Sequence, residues 1–488
     1  MSRAPGQESI VPLDLDALRS ALADSGEPFE PLGMSGLIVG SGALGRLGDV
    51  IGTMLDRTRT GAREVAVLAA ATPMRVRGSA LREAVERQIP PGCGQEWIVL
   101  GPPDGALHAD ERTVATAKQA SAEARCVVTV GSGTVTDIGK AAAGSGTHLI
   151  AVQTATSVNG YADPFSVLLT AGVKRTTPTR WPDWLIIDTD VLAGAPDRLN
   201  LAGVGDMAAM FSATADWCLA ASLRAGGPPY SAWAAGLVRT HGEAMFDLGR
   251  GLTTDTGRLT DLARLLTLSG IGMGIAGSTA PASGMEHAVS HLLEMAATAS
   301  DGTSSASAPN LHGEQVGVAS VVAAAAWDHV LARIAAGGLG LAARPPDPDA
   351  TADRIGAAFA NLDASGAMAA ECLADYTAKI RLLASGPDPL VTLRSTWSDL
   401  EPVFGGLLNG PAELARGLRS AGLPARFGDL PVPVDQAQAR WAVASCALQR
   451  RRFGVADLAM LMGAWEDDDV DAVLAAAGAA AATAGVTP

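Results

Sequence analysis

At 488 residues the chain is too long for one ordinary hydrophobic core, so two domains are expected. Hydrophobic residues make up 48% and charged residues 18%, a globular balance, while 36 basic against 51 acidic residues leave a formal net charge of −15. That charge argues against nucleic acid or an anionic membrane as partner, because either would need a basic face; a phosphorylated small molecule needs only a few well-placed cations.

In chain order, the opening MSRAPGQESIVPLDLDAL is acidic and mixed, without the apolar stretch of a secretory signal, and residues 1–33 read as an N-terminal extension. GLIVG (36–40) and EVAVLAA (64–70) read as strands, with SGALGRLGDVIGTML and SALREAVERQI as helices after them. EWIVLG (96–101), RCVVTVG (125–131), THLIAVQT (147–154) and WLIIDT (184–189) continue the strand series. Apolar runs bounded by glycine and separated by helix-length segments predict a parallel sheet with crossovers. From about residue 198 strand-like runs disappear and Ala/Leu-rich helical periodicity continues to a low-complexity end, AVLAAAGAAAATAGVTP. The expected architecture is an α/β Rossmann-like domain over 1–198 and an all-α domain over 199–488, with the active site in the cleft between them.

No stretch of 18 apolar residues runs without Gly, Pro or charge, so no membrane span is expected. Cys93, Cys126, Cys218, Cys372 and Cys446 are odd in number, scattered and without CxxC spacing, which fits a reducing cytoplasm better than a disulfide framework.

The polar residues with most chemistry lie in the helical half. Asp206 sits in GVGDMAA, read as a glycine-bracketed turn opening a helical pattern. His287 and His291 in SGMEHAVSHLLEM are four residues apart and so share one helix face. His312 in NLHGEQVGVAS begins another helical run. Singly, each reads as a polar residue at a helix end. Together, a carboxylate and imidazoles suit a divalent ion with an open position: Zn²⁺, Ni²⁺ or Fe²⁺.

In the first half, VVTVGSGTVTDIGKAAA (127–143) is a strand, a Gly-Ser-Gly turn and a helix start. Gly131 and Gly133 would let backbone N–H groups approach a phosphate at the positive end of that helix. The pattern is neither GxGxxG nor a Walker loop, and by itself equally describes an ordinary turn. A second polar loop, TATSVNGYADPFS (154–166), follows the next strand, where ligands of open α/β sheets bind.

GSGTVTDIGK, TATSVNGY, LAGVGDMAA, SGMEHAVSH and LHGEQVGVA, in that order, resemble the iron-containing alcohol dehydrogenase and dehydroquinate synthase-like superfamily, and most of all its sn-glycerol-1-phosphate dehydrogenases of the bacterial araM type. IIDTDVLAGAPDRLNLAGVGD (186–206) and RRFGVADLAMLMG (451–463) carry the same resemblance, which covers about residues 34–465. It implies Asp206, His287 and His312 as metal ligands, zinc before nickel or iron, with Asp206 and His291 as catalytic groups. Gly131, Ser132, Gly133, Thr134 and Asp137 would hold the dinucleotide, with Thr154, Ser157 and Asp163 nearer the nicotinamide. Asn159, Asp206 and His291 would meet the substrate. The implied reaction is hydride transfer from NADPH or NADH to dihydroxyacetone phosphate, the ion polarising the carbonyl and the proton arriving from solvent at the ion or through His291. A homodimer is implied in the same way.

Two departures bear on specificity. AAATPMRVRG (69–78) places Ala69, Ala70 and Ala71 where an acid would take the ribose 2′-hydroxyl of NAD, which favours NADP(H) or dual use with Arg75 or Arg77 on a 2′-phosphate. Asp163 stands where the family more often has a small hydroxyl residue, and an extra carboxylate there could disfavour a phosphorylated substrate. The alternatives are therefore a related reductase of another small phosphorylated or phosphonate carbonyl or polyol, and a dehydroquinate synthase-like cyclase using Lys140, Lys174 and Arg175. A non-catalytic binding protein would have lost the ligand residues that are present here.

Overall fold

A computed structural model of the chain describes residues 13–55, 64–102, 107–239, 242–300, 310–340, 343 and 346–483. The expectations for the opening residues 1–12 and for the end of the low-complexity tail, 484–488, lie outside these. The described residues group into two compact units. The first lies within Met1–Thr170, Lys174–Val204 and Thr240–Thr279, and the second within Ala171–Val173, Gly205–Arg239 and Ala280–Pro488. This grouping differs from the single cut expected at 198/199, because the helical segment 242–275 packs with the α/β unit.

The first unit is built on six strands: β1 (Gly36–Gly40), β2 (Val65–Ala70), β3 (Gln95–Leu100), β4 (Cys126–Gly131), β5 (His148–Gln153) and β6 (Trp184–Asp188). Every neighbouring pair is parallel, in the spatial order β3-β2-β4-β5-β6-β1. All six are the strands read from the sequence. The runs of the inner strands are continuous because both faces are covered: Val65, Val67 and Val128 pack with Leu47 and Ile51 on one side, Leu68, Val127 and Leu149 with Ile138 on the other.

Two short hairpins escaped the sequence reading, Arg75–Val76 with Ser79–Ala80, and Phe165–Thr170 with Val173–Pro178. The second turns on Ala171 (φ 49°) and Gly172 (φ 77°), a pair of left-handed residues of the kind that closes a two-residue hairpin.

The strand order places the site. From β2 the chain crosses to β3 on one side, and from β4 it crosses to β5 and β6 on the other. The connections diverge between β2 and β4, so a crevice opens at the carboxyl ends of these two strands, where ligands of open α/β sheets bind. Helix α1 (Gly133–Ala142) starts there.

The second unit is helical. Three helices carry the residues of interest: α2 (Asp197–Met207), whose last residues enter this unit, α3 (Met285–Ser300) and α4 (His312–Ala335). Helix α4 is long and apolar enough to span a membrane, with a mean hydropathy of 1.4 over its most apolar window. Its composition has a different cause, since Gly313 to Trp327 are buried against α3 and against the helices Pro411–Ser420 and Asp467–Thr483 of the same unit.

Candidate active site

Asp206 does not open a helix as the sequence suggested; it lies in the last turn of α2. The flanking glycines explain the GVGD pattern. A Cβ on Gly203 would sit 2.0 Å from the Thr156 carbonyl oxygen, and one on Gly205 would sit 2.1 Å from that of Gly313. Glycine at 203 lets α2 lie against the Thr156 loop, and glycine at 205 permits the approach of α2 to the start of α4. Asp206 thereby comes beside His312, the first residue of α4, and beside His287 in the first turn of α3.

The three expected ligands converge. One carboxylate oxygen of Asp206, Oδ1, is 3.4 Å from His287 Nε2 and 3.7 Å from His312 Nε2. The three donor atoms lie within 4.8 Å of one another. Donors at about 2.1 Å from a tetrahedral ion stand about 3.4 Å apart, so these separations are those of one coordination sphere. The residues present therefore fit a divalent ion. Asp206 is 1% exposed and His287 7%, so the carboxylate demands a nearby positive charge. Burial disfavours a proton on His287, but the hydrogen bonds and charges of Asp206 and Glu286 outweigh it and push the imidazole up to about 9. Without an ion the site thus supplies its own cation as a proton.

His291 lies one turn after His287, as the spacing required. Its ring centre is 6.2 Å from that of His287 and 5.6 Å from that of His312, and it is 7% exposed. It borders the site without joining the trio around Asp206.

Several partners were missed from the sequence. Glu286 accepts from His287 Nδ1 at 3.1 Å and Glu294 from His312 Nδ1 at 3.1 Å, while Ser290 Oγ lies 3.2 Å from the same His312 nitrogen. A usable signal existed: residues 287, 290, 291 and 294 fall on one helix face, so MEHAVSHLLE presents His, Ser, His and Glu together.

In the first unit, Gly131 ends β4, Ser132 follows, and Gly133 and Thr134 open α1, at the crevice expected for a ligand. Ser132 occupies the N-cap position of α1, yet its side chain makes no cap hydrogen bond, so its own hydroxyl does not compete for the first N–H groups of the helix. The glycines serve close packing here, since a Cβ on Gly131 would meet Val135 at 2.5 Å and one on Gly133 would meet Val158 at 2.6 Å. The Thr154 amide donates to the Gly131 carbonyl at 3.2 Å, joining the two expected loops. Ser157 is buried beside it, and the Asn159 side-chain amide donates to Ser269 Oγ at 3.1 Å.

Asp137 and Asp163 stand differently from the expectation that they face the dinucleotide. Both carboxylates surround the buried ammonium of Lys140, Asp163 Oδ1 at 2.9 Å and Asp137 Oδ1 at 3.4 Å. Asp163 also accepts from the Phe165 amide at 2.8 Å, and Asp137 from that of Val167 at 3.2 Å. Burial pushes Asp137 up to about 6, partly offset by Lys140. The Asp163 charge is compensated internally, which removes the argument that it would repel a phosphorylated substrate.

At the exit of β2, Ala69 and Ala70 end the strand and no carboxylate follows before the Arg75 hairpin. Arg77, in a left-handed conformation (φ 49°), pairs with Asp190 at 2.7 Å, whereas exposed Arg75 donates to the Gly78 carbonyl.

Comparison with known proteins agrees with this arrangement. Residues 38–196 match the family described as iron-containing alcohol dehydrogenase. The glycerol-1-phosphate dehydrogenase [NAD(P)+] of Hyperthermus butylicus is 30% identical over 317 residues, 63% of this chain and 83% of that protein. This chain belongs to the iron-containing alcohol dehydrogenase superfamily, among the glycerol-1-phosphate dehydrogenases. The enzymes of the same name from Aeropyrum pernix and Bacillus velezensis are 34% and 36% identical over 221 residues, and the chain spans only 60% and 54% of their lengths. The fold extends further than the sequence similarity. A probable glycerol dehydrogenase from Sinorhizobium meliloti superposes with a TM-score of 0.56 at 16% identity, covering 92% of this chain and 98% of its own. Glycerol dehydrogenase from Schizosaccharomyces pombe gives 0.53 at 16% identity, covering 93% and 92%. Membership of this superfamily implies a divalent metal and NAD(P).

Proposed function

We propose that this protein interconverts dihydroxyacetone phosphate and sn-glycerol 1-phosphate, with NADP(H) or NAD(H) and a divalent ion, zinc before nickel or iron. The observation that carries the proposal is the convergence of His287 Nε2 and His312 Nε2 on one oxygen of Asp206, at 3.4 and 3.7 Å, in a relative of glycerol-1-phosphate dehydrogenases.

Asp206, His287 and His312 would hold the ion, which when bound supplies Lewis acidity towards a carbonyl oxygen while the reduced nicotinamide supplies hydride. His291, buried one turn from His287, carries a proton to the oxygen that becomes the secondary hydroxyl, a task its side-chain type suits near neutral pH. The N–H groups opening α1, after Gly131, Ser132, Gly133 and Thr134, take the pyrophosphate. Thr154 and Ser157 support the nicotinamide end. Asn159, committed to Ser269, orients the loop on which they sit.

The missing acid at residues 69–71 supports use of NADPH, and Arg75 is the favoured contact for a 2′-phosphate because Arg77 is already compensated by Asp190. A cytoplasmic setting is part of the same reading, supported by the odd number and scattered, CxxC-free spacing of the five cysteines.

The test is a spectrophotometric assay of metal-reconstituted protein with dihydroxyacetone phosphate and NADH or NADPH. Oxidation of the reduced nicotinamide, lost with chelator and restored by zinc, is the expected result. No oxidation with either cofactor, in protein shown to bind metal and dinucleotide, would overturn the substrate assignment.

A further inference from the structure

Each of the two imidazoles that face Asp206 through Nε2 has a carboxylate behind it. His287 Nδ1 lies 3.1 Å from Glu286 Oε1, and His312 Nδ1 lies 3.1 Å from Glu294 Oε1. A carboxylate only accepts, so both rings must carry a hydrogen on Nδ1, which leaves Nε2, on the side of Asp206, as the atom that would offer a lone pair to a bound ion. Ser290 adds to this at His312: its hydroxyl hydrogen goes to Gln315 Oε1 at 3.1 Å, so towards Nδ1, 3.2 Å away, only its lone pairs remain.

The two carboxylates are themselves held. Glu286 is fully buried, and its other oxygen accepts from Ser212 Oγ at 2.7 Å. The Gly284 amide donates to Oε1, and a Cβ on Gly284 would lie 2.9 Å from Glu286 Oε2 and from Asp216 Oδ2. Glu294 is less enclosed, its side chain 15% exposed, and the structure also places it with His291 and His312 in a second trio of donors within 4.8 Å. That trio could be read as a second cation position. The geometry at His312 argues otherwise, because its Nδ1 is already satisfied by hydrogen bonding to Glu294 and Ser290.

We infer that Glu286 and Glu294 are positioning residues that fix the tautomer and orientation of the two ligand imidazoles and thereby set how tightly the ion is held, and that Glu294 is not itself a ligand. This rests on the metal-dependent reading proposed above. Outer carboxylates of this kind typically account for about 10- to 100-fold in metal affinity.

The decisive experiment strips the full-length protein of metal and titrates it with Zn²⁺ against a chromophoric chelator, and with Co²⁺ while recording its visible absorption. The parent should bind one ion per chain. Glu294→Ala should weaken Zn²⁺ about 10- to 100-fold while still binding one ion with a tetrahedral Co²⁺ spectrum, and Glu294→Gln, which keeps an acceptor without the charge, should fall between. Glu286→Gln should show a loss of the same kind, and circular dichroism of the metal-free protein verifies its fold. Should that variant not fold, the more exposed Glu294 pair decides alone. Affinity within twofold of the parent in both Glu294 variants would overturn the inference. So would a parent that binds two ions and a Glu294→Ala variant that loses one, since Glu294 would then be a ligand. A parent that binds no ion would instead refute the metal-dependent reading itself.

Discussion

Replacing Lys140 by methionine would test the ion cluster beneath the proposed dinucleotide loop. The Lys140 ammonium, with its side chain fully buried, donates to the Gly160 carbonyl at 2.8 Å, to Asp163 Oδ1 at 2.9 Å and to the Phe165 carbonyl. Burial works against its charge, yet Asp163 and Asp137 more than compensate and hold it above the usual lysine value. Methionine fills the space but strands the Asp163 carboxylate, 2% exposed, with the Phe165 amide as its remaining hydrogen bond of note. Removing one member of a buried ion pair costs about 3–5 kcal/mol. For a unit of roughly 200–250 residues, where 1 kcal/mol moves Tm by about 2–4 °C, the unfolding of the α/β unit should fall by roughly 6–20 °C in calorimetry. Dinucleotide affinity, read by NADPH fluorescence, should weaken as the 157–165 loop loses its anchor. The double variant Lys140→Met/Asp163→Asn removes the stranded charge while keeping an acceptor for Phe165, and should recover more than about 1 kcal/mol of the loss. A Tm drop below about 2 °C, or a double variant no better than the single, would refute the argument.

Three further outcomes are expected. His312→Ala should abolish stoichiometric zinc and turnover while leaving far-ultraviolet circular dichroism unchanged, and retained activity in metal-free protein would contradict a metal role. Gly205→Ala would ordinarily stabilise a helix, but its Cβ would stand 2.1 Å from the Gly313 carbonyl oxygen, so it should cost about 1–3 kcal/mol and weaken zinc binding by displacing His312; a raised Tm would show that the close approach is not what requires glycine. Ala70→Asp should lower kcat/KM with NADPH relative to NADH by setting a carboxylate against the 2′-phosphate, and an unchanged ratio would locate the ribose elsewhere.

The sequence by itself determined what depends on local periodicity and on residue type. The inner strands β2, β4, β5 and β6 show as continuous apolar runs, because both of their faces are covered, and the helical second half shows as Ala/Leu periodicity broken only at Pro- and Gly-rich stretches. The i,i+4 pairing of His287 and His291 is a property of any helix, and the ordered motifs singled out Asp206, His287 and His312, the three side chains that the fold brings within 4.8 Å of one another. What only the tertiary structure decided depends on contacts between segments far apart in the chain. The order β3-β2-β4-β5-β6-β1, which opens the crevice between β2 and β4, comes from which strands pair, and a run of valines does not encode its neighbour. The helix Thr256–Ile275 lies with the α/β unit because Ser269 meets Asn159 and Thr260 meets Thr189, pairings with no local signal. Asp163 reads in the sequence as an extra carboxylate near the nicotinamide, whereas in the fold Lys140, 23 residues earlier in the chain, compensates it inside the protein. Glu286 and Glu294 likewise look like ordinary helix acids in the sequence. A charge acquires its role from the partner that folding brings to it, and the spacing along the chain is silent about partners that approach from another helix.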